Sequence, residues 1–147
     1  MDPGFTHASL ADLVSAPDKP GTRWEVSPQL GIGGYNFNVA VLESGERLSA
    51  NAMHAHPNQE EFFFVLEGRC RVETPTDSFD CGPDEMVLFR RGAVHLLHNP
   101  YSTPVRLIAI GYPAAGRHPV ESDQAFEALL ADRYPDGNVA DGSAQIG

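Results

Sequence analysis

The sequence predicts an all-β protein built as a sandwich or barrel of short strands. Its apolar segments are short and rich in Val, Phe, Ile and Tyr, and 14 glycines and 12 prolines punctuate the chain. Nine strand-like segments follow one another at roughly even spacing, and no helix long enough to be a crossover interrupts them, which argues against a parallel βαβ sheet. The 147 residues suit one domain with one core.

The predicted strands occupy the middle of the chain. They are residues 23–27, 35–43, 48–55, 61–66, 69–74, 78–81, 86–89, 93–99 and 105–112. We therefore expect a barrel over residues 23–113, preceded by an N-terminal arm over residues 1–22. Residues 114–147 are predicted as a short helix over 122–132, begun by an Asp-containing N-cap, and a flexible Gly- and Asp-rich tail.

The charge balance excludes some classes of partner. The formal net charge is −10, with 20 acidic residues against 10 basic ones, whereas nucleic-acid binding needs clustered Lys and Arg. No apolar run approaches the roughly 20 residues that cross a bilayer, and the chain does not open with a signal-peptide pattern. We expect a cytoplasmic protein with no nucleic-acid or membrane partner.

Cys70 and Cys81 are the only cysteines. A hairpin formed by residues 69–74 and 78–81 places Cys70 opposite Cys81, within reach of a disulfide if the pair is of the non-hydrogen-bonded kind. Because cytoplasmic disulfides are rare, we expect two reduced, buried thiols.

Two histidines stand one residue apart. Successive side chains on a strand alternate between faces, so His54 and His56 point to the same side, about 6.5 to 7 Å apart along the backbone. Imidazole is the commonest metal ligand, and two so placed can converge on one ion. An isolated pair of this kind is more often an ordinary polar pair, so the argument depends on the residues that follow.

A carboxylate follows these histidines after a break at Pro57-Asn58. Glu61 begins an almost wholly apolar strand, where an inward-facing carboxylate needs a partner. Two neutral imidazoles and one carboxylate suit a divalent first-row metal. The neighbouring Glu60 has the opposite orientation and is predicted to be a solvated charge at the rim.

A further histidine is available on the strand over 93–99. His95 and His98 lie three residues apart and therefore face opposite sides. At most one of them can join the cluster unless the strand contains a bulge. The alternation alone leaves the choice between them open.

Together these segments resemble the cupin superfamily. The residues that match its first motif, G-x5-H-x-H-x(3,4)-E-x6-G, are His54, His56, Glu61 and Gly68. The residues that match its second motif, G-x5-P-x-G-x2-H-x3-N, are Gly92, His95 and Asn99. The resemblance covers residues 35–112 and selects His95 as the third histidine.

Three positions depart from these motifs. Leu48 and Asp84 stand where the opening glycines are expected, and Arg90 stands where the second motif has proline. None is a ligand position, so the departures concern loop geometry more than metal binding. We interpret Arg90 as a surface arginine; the alternative is a guanidinium near the barrel mouth.

The resemblance implies a double-stranded β-helix, or jelly roll, with a metal ion near one end of the barrel. The implied ligands are His54, His56, Glu61 and His95. The implied cofactor is a divalent transition metal, namely Fe, Mn, Ni or Zn. About two positions of an octahedral ion would stay open for water, dioxygen or a substrate.

Strand alternation, counted from these ligands, predicts an apolar pocket. Its predicted lining residues are Ala52, Phe63, Val65 and Leu97. Apolar walls beside a metal suit a small organic substrate that binds through an oxygen or a carboxylate. We expect dioxygen-dependent or Lewis-acid chemistry of the isomerase or decarboxylase type; the alternative is a non-catalytic module that binds or senses a small molecule.

The resemblance also implies self-association, because small cupins commonly pair through their sheets. The N-terminal arm and the aromatic strands are the predicted contact surfaces. We therefore expect a homodimer.

Overall fold

The protein was analysed as a computed structural model, which describes residues 3–17, 21–49, 53–116, 119–121 and 126–135. The strands in these residues are β1 (Thr22–Glu25), β2 (Asn36–Leu42), β3 (His54–Ala55), β4 (Glu60–Glu67), β5 (Cys70–Glu73), β6 (Ser78–Cys81), β7 (Met86–Phe89), β8 (Leu96–His98), β9 (Val105–Tyr112) and β10 (Val120–Glu121). The helices are α1 (Val26–Leu30) and α2 (Phe126–Arg133), with short 3-10 turns at Leu10–Asp12 and Ala114–Gly116. The all-β prediction is confirmed.

Two antiparallel sheets form the body of the molecule. One has the strand order β1-β2-β9-β4-β7 and the other the order β6-β5-β8, while β10 and β3 form a separate two-stranded pair. Neighbours in the sheet order are far apart in sequence, as in β2-β9-β4, so the chain repeatedly crosses between layers. This is the predicted double-stranded β-helix.

The core lies between the two larger sheets. Alternate residues of β4 and β9 point inward, so that Phe63, Val65 and Leu107 are all at most 2% exposed. They pack in one cluster with Val72 and Leu97 from the three-stranded sheet. Burial of these aliphatic and aromatic side chains from both sheets holds the layers together.

The predicted hairpin of β5 and β6 is confirmed. Cys70 is the register partner of Cys81, and both side chains are buried as free thiols. Their redox state stays a prediction.

The predicted strand over 48–55 is wrong for most of its described residues. Only His54–Ala55 is a strand, and it pairs with β10. Isolated bridges join Arg47 to His98 and His54 to His95. Six residues separate Arg47 from His54, whereas two separate their partners, so a continuous ladder cannot run between the two bridges.

The predicted strand over 23–27 is wrong in its last two residues, which belong to α1. Pro28 has no N–H to donate to a ladder but is tolerated in the first turn of a helix. The Ser27 hydroxyl donates to the Tyr35 carbonyl at 2.8 Å, and Gly31 ends the helix with a φ of 72°. The chain therefore turns sharply before β2.

Three motif positions have left-handed backbone: Gly68, Asp84 and Gly92, the last with a φ of 82°. Gly68 has a φ of 73°, and a Cβ placed there would lie 2.2 Å from the Pro104 carbonyl oxygen, so only glycine fits. Asp84, at the opening glycine of the second motif, has a φ of 65°. Aspartate tolerates this conformation better than most residues, so the departure keeps a backbone geometry that glycine would also adopt.

Helix α2 covers the outer face of the three-stranded sheet. Leu129 packs with the fully buried Met53 and Leu96, and Val94 and Leu130 add to this cluster. The predicted C-terminal helix is thus confirmed from residue 126, while its predicted start at 122–125 and the tail from 136 lie outside the described residues. The proposed domain boundaries stay a prediction.

Candidate metal centre

Four side chains converge at one end of the barrel. They are His54, His56, Glu61 and His95, and their candidate ligand atoms all lie within 4.8 Å of one another. The structure thus brings together all four residues that the motifs single out.

Backbone pairing explains this convergence. His54 and His95 form an antiparallel bridge in which each N–H donates to the other's carbonyl, at 3.2 and 2.9 Å. His56 has the same orientation as His54 because it lies two residues further along. Glu61 lies on β4 with the same alternation as the core residue Phe63, so its carboxylate faces the interior.

One carboxylate oxygen lies at the centre of the cluster. Glu61 Oε1 is 2.7 Å from His95 Nε2, 3.0 Å from His56 Nε2 and 4.0 Å from His54 Nε2. Burial raises the pKa of Glu61, but hydrogen bonds to His56 and His95 and electrostatic attraction to both rings outweigh it and lower the pKa to about 2. Glu61 is therefore ionised at neutral pH, as a metal ligand must be.

His95 carries the clearest sign of a cation site. Its Nδ1 lies 2.8 Å from the Ala93 carbonyl oxygen, and its Nε2 lies 2.7 Å from Glu61 Oε1. Both ring nitrogens therefore face acceptor oxygens, whereas a neutral imidazole has one N–H to donate. Either a second proton or a cation beside Nε2 resolves this conflict, and the bond from Nδ1 leaves the Nε2 lone pair directed into the cluster.

Packing fixes the orientation of His95. Its ring stacks on Phe89 with a centroid distance of 4.0 Å and an interplanar angle of 8°, and it forms a T-shaped pair with Phe63 at a centroid distance of 6.0 Å. The imidazole of His95 is 2% exposed. Such restraint keeps a ligand from rotating away from its ion.

One ring nitrogen of His56 is unsatisfied. Its Nδ1 is buried and has no hydrogen-bond partner within the described part of the chain. A buried polar atom without a partner is costly unless a ligand or water satisfies it. Three imidazoles and one carboxylate, with two acceptor oxygens around the His95 ring and an unpartnered His56 Nδ1, thus fit a divalent ion.

The predicted pocket residues that the structure describes lie deep in the core, and Phe63 among them packs beside His95. Phe63, Val65 and Leu97 are at most 2% exposed and pack between the sheets. Their role as pocket lining stays a prediction, and Ala52 lies outside the described residues. Glu60, predicted at the rim, is half-buried on β4.

The structure adds an arginine that the sequence reasoning missed. Arg23 of β1 is paired in register with Ala40, a core residue, and therefore lies on the inner face of the five-stranded sheet. The sequence does indicate, by strand alternation, that Arg23 and Glu25 share one face and that Trp24 lies on the other. Sequence alone did not show which of the two faces points inward.

A second buried carboxylate lies on the opposite side of the three-stranded sheet. Glu73 is fully buried, and its oxygens lie 2.7 Å from His98 Nε2, 2.6 Å from Arg133 Nη1 and 3.2 Å from the Tyr134 hydroxyl. His98 thus faces away from the metal centre, as predicted. We call Glu73, His98, Arg133 and Tyr134 the outer cluster.

Hydrogen bonds to its neighbours decide the ionisation of Glu73. Burial raises its pKa, but hydrogen bonds from His98, Ser78 and Arg133 outweigh that effect and hold the pKa below its ordinary value. Glu73 is therefore a carboxylate at neutral pH, with a guanidinium as its counter-ion.

Within the described ranges, no helix is long and apolar enough to span a membrane.

Fold and site together define a small double-stranded β-helix protein with a candidate centre for one metal ion. A family described as "Cupin domain" matches residues 38–111, half of the chain, and all four candidate ligands lie in this segment. The chain belongs to this cupin family.

Individual relatives are more distant. The chain is 29% identical over 72 residues to "Polyketide synthase CurC" of Streptomyces cyaneus, a match that spans 49% of this chain and 45% of that protein. It therefore spans less than half the length of this curated relative.

Solved structures share the fold at low identity. The polyketide cyclase RemF from Streptomyces resistomycificus superposes with a TM-score of 0.70 at 16% identity, over 90% of this chain and 96% of RemF. A sugar phosphate isomerase of the cupin superfamily from Silicibacter pomeroyi superposes with a TM-score of 0.67 at 20% identity, over 81% and 83% of the two chains. The DMSP lyase DddQ from Ruegeria pomeroyi gives a TM-score of 0.52 at 21% identity, over 61% of this chain and 44% of the lyase.

Proposed function

We propose that this protein is a metal-dependent enzyme that cyclises a small, oxygen-rich organic molecule of the polyketide type. The observation that carries the proposal is the set of four convergent donors, in which both nitrogens of His95 face oxygen atoms. That arrangement needs positive charge at the centre of the cluster.

The chain's own residues divide the work of holding the ion. His54, His56 and His95 would supply neutral imidazole nitrogens, and Glu61 an ionised oxygen. A divalent ion held there supplies Lewis-acid polarisation of a substrate oxygen and acidifies an adjacent C–H group. Three nitrogens and one oxygen suit Fe, Mn, Ni or Zn.

The substrate class is inferred from two relatives of different kinds. The curated sequence relative is named a polyketide synthase and the structural neighbour RemF a polyketide cyclase. A poly-ketone chain offers paired oxygens to a cation and CH₂ groups acidified by the carbonyls beside them. Ring closure joins such a carbon to a carbonyl carbon of the same chain: the carbon loses its proton, the former carbonyl oxygen is protonated to a hydroxyl and then leaves with a neighbouring hydrogen as water, so no oxidant is needed.

A homodimer is part of the proposal. Residues of the five-stranded sheet that point away from the core form a row of paired apolar side chains, namely Phe37, Ile110, Phe62 and Leu88. Leu88 is 41% exposed, and the nearby Met86 is 55% exposed. A contiguous apolar face of this kind supports association with a second copy. The mass in solution is measured by light scattering, and a mass equal to that of one chain would contradict the homodimer.

The test begins with the metal. The protein is purified without added metal, its content is measured by mass spectrometry, and samples loaded with Fe, Mn, Ni or Zn are each incubated with a synthetic poly-β-ketone. We expect about one ion per chain and a cyclised product that has lost water. Absence of stoichiometric metal overturns the proposal at its base; a loaded protein that binds the poly-ketone without converting it identifies a binding module instead.

A further inference from the structure

The inner face of the five-stranded sheet is not uniformly apolar. Glu61 on β4 is the register partner of Gly111 on β9, and Gly111 is the register partner of Asn36 on β2. The next inward-facing row contains Phe63 and its partner Ala109. It continues through Asn38 on β2 to Glu25 on β1. Small residues at the centre of the sheet thus separate the candidate ligand from a polar edge.

Arg23 lies at that edge, one row deeper still. Its register partner Ala40 pairs with Leu107, and Leu107 pairs with Val65, so all four share the inward face. Arg23 is half-buried there, although arginine is among the residues least often placed inside a protein.

The guanidinium reaches across the gap between the two sheets. Arg23 Nη2 donates to the Leu48 carbonyl at 2.8 Å, and the Leu48 N–H in turn donates to the Leu97 carbonyl of β8 at 2.9 Å. The side chain therefore starts on one sheet and ends against the chain that borders the other. That chain continues toward His54 and His56.

Two carboxylates share the electrostatic field of Arg23. Burial lowers the pKa of the Arg23 guanidinium, and Glu25 and Glu61 oppose this shift. Influence from Glu61 means that the guanidinium lies within electrostatic range of the candidate metal centre. The Leu48 carbonyl satisfies one of the five N–H groups that a guanidinium offers.

We propose that Arg23 is the substrate-binding residue that holds an acidic oxygen of a substrate whose other oxygen lies at the metal centre. The substrate class is a small organic molecule with two nearby oxygens, one of them anionic, such as a carboxylate or an acidic enol. A guanidinium binds such a group through a planar fork with charge-assisted hydrogen bonds. The inference rests on the proposed metal site and deepens the proposed function by naming what the substrate must carry.

The apolar surroundings favour an anion at this position. Ala40 and Leu107 beside Arg23 cannot solvate its charge, so a bound carboxylate restores interactions that burial removes. A neutral ketone offers an acceptor but no charge. Arg23 should therefore separate acidic from neutral ligands of the same shape.

Two small probes of nearly the same shape differ in charge, and the comparison of variants separates the effect of Arg23 from the probes' own affinity for the metal. Salicylate and 2-hydroxyacetophenone both carry a phenol beside a carbonyl group, but only salicylate has a carboxylate. Binding of each is measured by the change in the visible spectrum of the cobalt(II)-loaded protein, for the unaltered chain and for Arg23→Met, Arg23→Lys and Arg106→Met. Arg106 is the matched control, since it is half-buried on the opposite face of the same sheet.

Arg23→Met should bind cobalt as the unaltered chain does but lose salicylate affinity by roughly 10- to 100-fold, which corresponds to hydrogen bonds to a charged group. Its affinity for 2-hydroxyacetophenone should stay the same. Arg23→Lys should lose less salicylate affinity, because lysine keeps the positive charge but not the planar pair of N–H donors. Arg106→Met should keep the salicylate affinity of the unaltered chain.

The failures are distinguishable. If the unaltered chain takes up no cobalt, the proposed metal site fails and this inference falls with it. If cobalt binds but salicylate is not preferred over 2-hydroxyacetophenone, or if Arg23→Met keeps that preference, the role of Arg23 is overturned while the metal site stands.

Discussion

Two carboxylates in this protein, the half-buried Glu61 and the fully buried Glu73, each lie 2.7 Å from a histidine Nε2, yet their surroundings differ in kind. Glu73 of the outer cluster meets a guanidinium of the same chain, which neutralises its charge. Glu61 of the metal centre forms its ion pairs, among the described residues, with three histidines. The first cluster is complete without any ligand, and the second is not. The comparison teaches that unmet bonding capacity, rather than burial or residue type, distinguishes a binding site from a structural ion pair.

The largest expected effect is loss of the ion. Replacing His54 and His56 with alanine removes two of four donors, so bound metal should fall from about one ion per chain to background. Circular dichroism should still show the β-sheet signal, because neither side chain belongs to the core between the sheets. Glu73→Gln is the control, since it alters the outer cluster and should keep its metal. Stoichiometric metal in the double variant would contradict the ligand assignment.

The outer cluster should respond in stability instead. Arg133→Met leaves the fully buried Glu73 without its counter-ion, which should cost about 3 kcal/mol of the free energy of unfolding. Urea unfolding at neutral pH measures this loss. The exposed Arg91 offers a matched control, because Arg91→Met should change stability by less than about 0.5 kcal/mol. Equal effects of the two substitutions would show that the ion pair contributes nothing.

Acid should weaken the same cluster. The pKa of Glu73 is lowered on folding, so its contribution is present above the ordinary value of 4.5 and is lost as pH falls through the lower folded-state pKa. The stability difference between the unaltered chain and Glu73→Gln should therefore be constant near neutral pH and shrink below about pH 4.5. Urea titrations at a series of pH values test this. A difference that grows on acidification would reverse the sign of the proposed shift.

The smallest effect is expected from one hydroxyl. Tyr134→Phe removes the hydroxyl that lies 2.6 Å from Ser78 Oγ and 3.2 Å from Glu73 Oε2, and should cost about 1 kcal/mol. Metal content should not change. Loss of metal in this variant would mean that the two clusters are coupled through the sheet that separates them.

The metal centre was more predictable than the outer cluster for a physical reason. Strand alternation set the common direction of His54 and His56, and the motif spacing added Glu61, beyond the break at Pro57-Asn58, and selected His95. Glu73 and Arg133 are 60 residues apart, and their contact depends on where α2 docks. No local pattern contains that information.

Errors in the predicted strands have local causes. The strand predicted over 48–55 was wrong because the two bridges are separated by more residues on this segment than on its partner, so they cannot belong to one continuous ladder. Composition does not show such a difference in length. The strand over 23–27 failed because Pro28 and Gly31 together favour a helical turn. The inward direction of Arg23 was hidden for a related reason, since it follows from the pairing of β1 with β2.

Helix α2 has a consequence for the candidate metal centre. It lies beyond the segment that matches the family, residues 38–111, yet Leu129 packs against Met53 and Leu96, the immediate neighbours of His54 and His95. Two candidate ligands are thus supported from the outer side of the sheet by a part of the chain outside the family match. A smaller side chain at Leu129 should therefore loosen the support behind both candidate ligands without changing either of them.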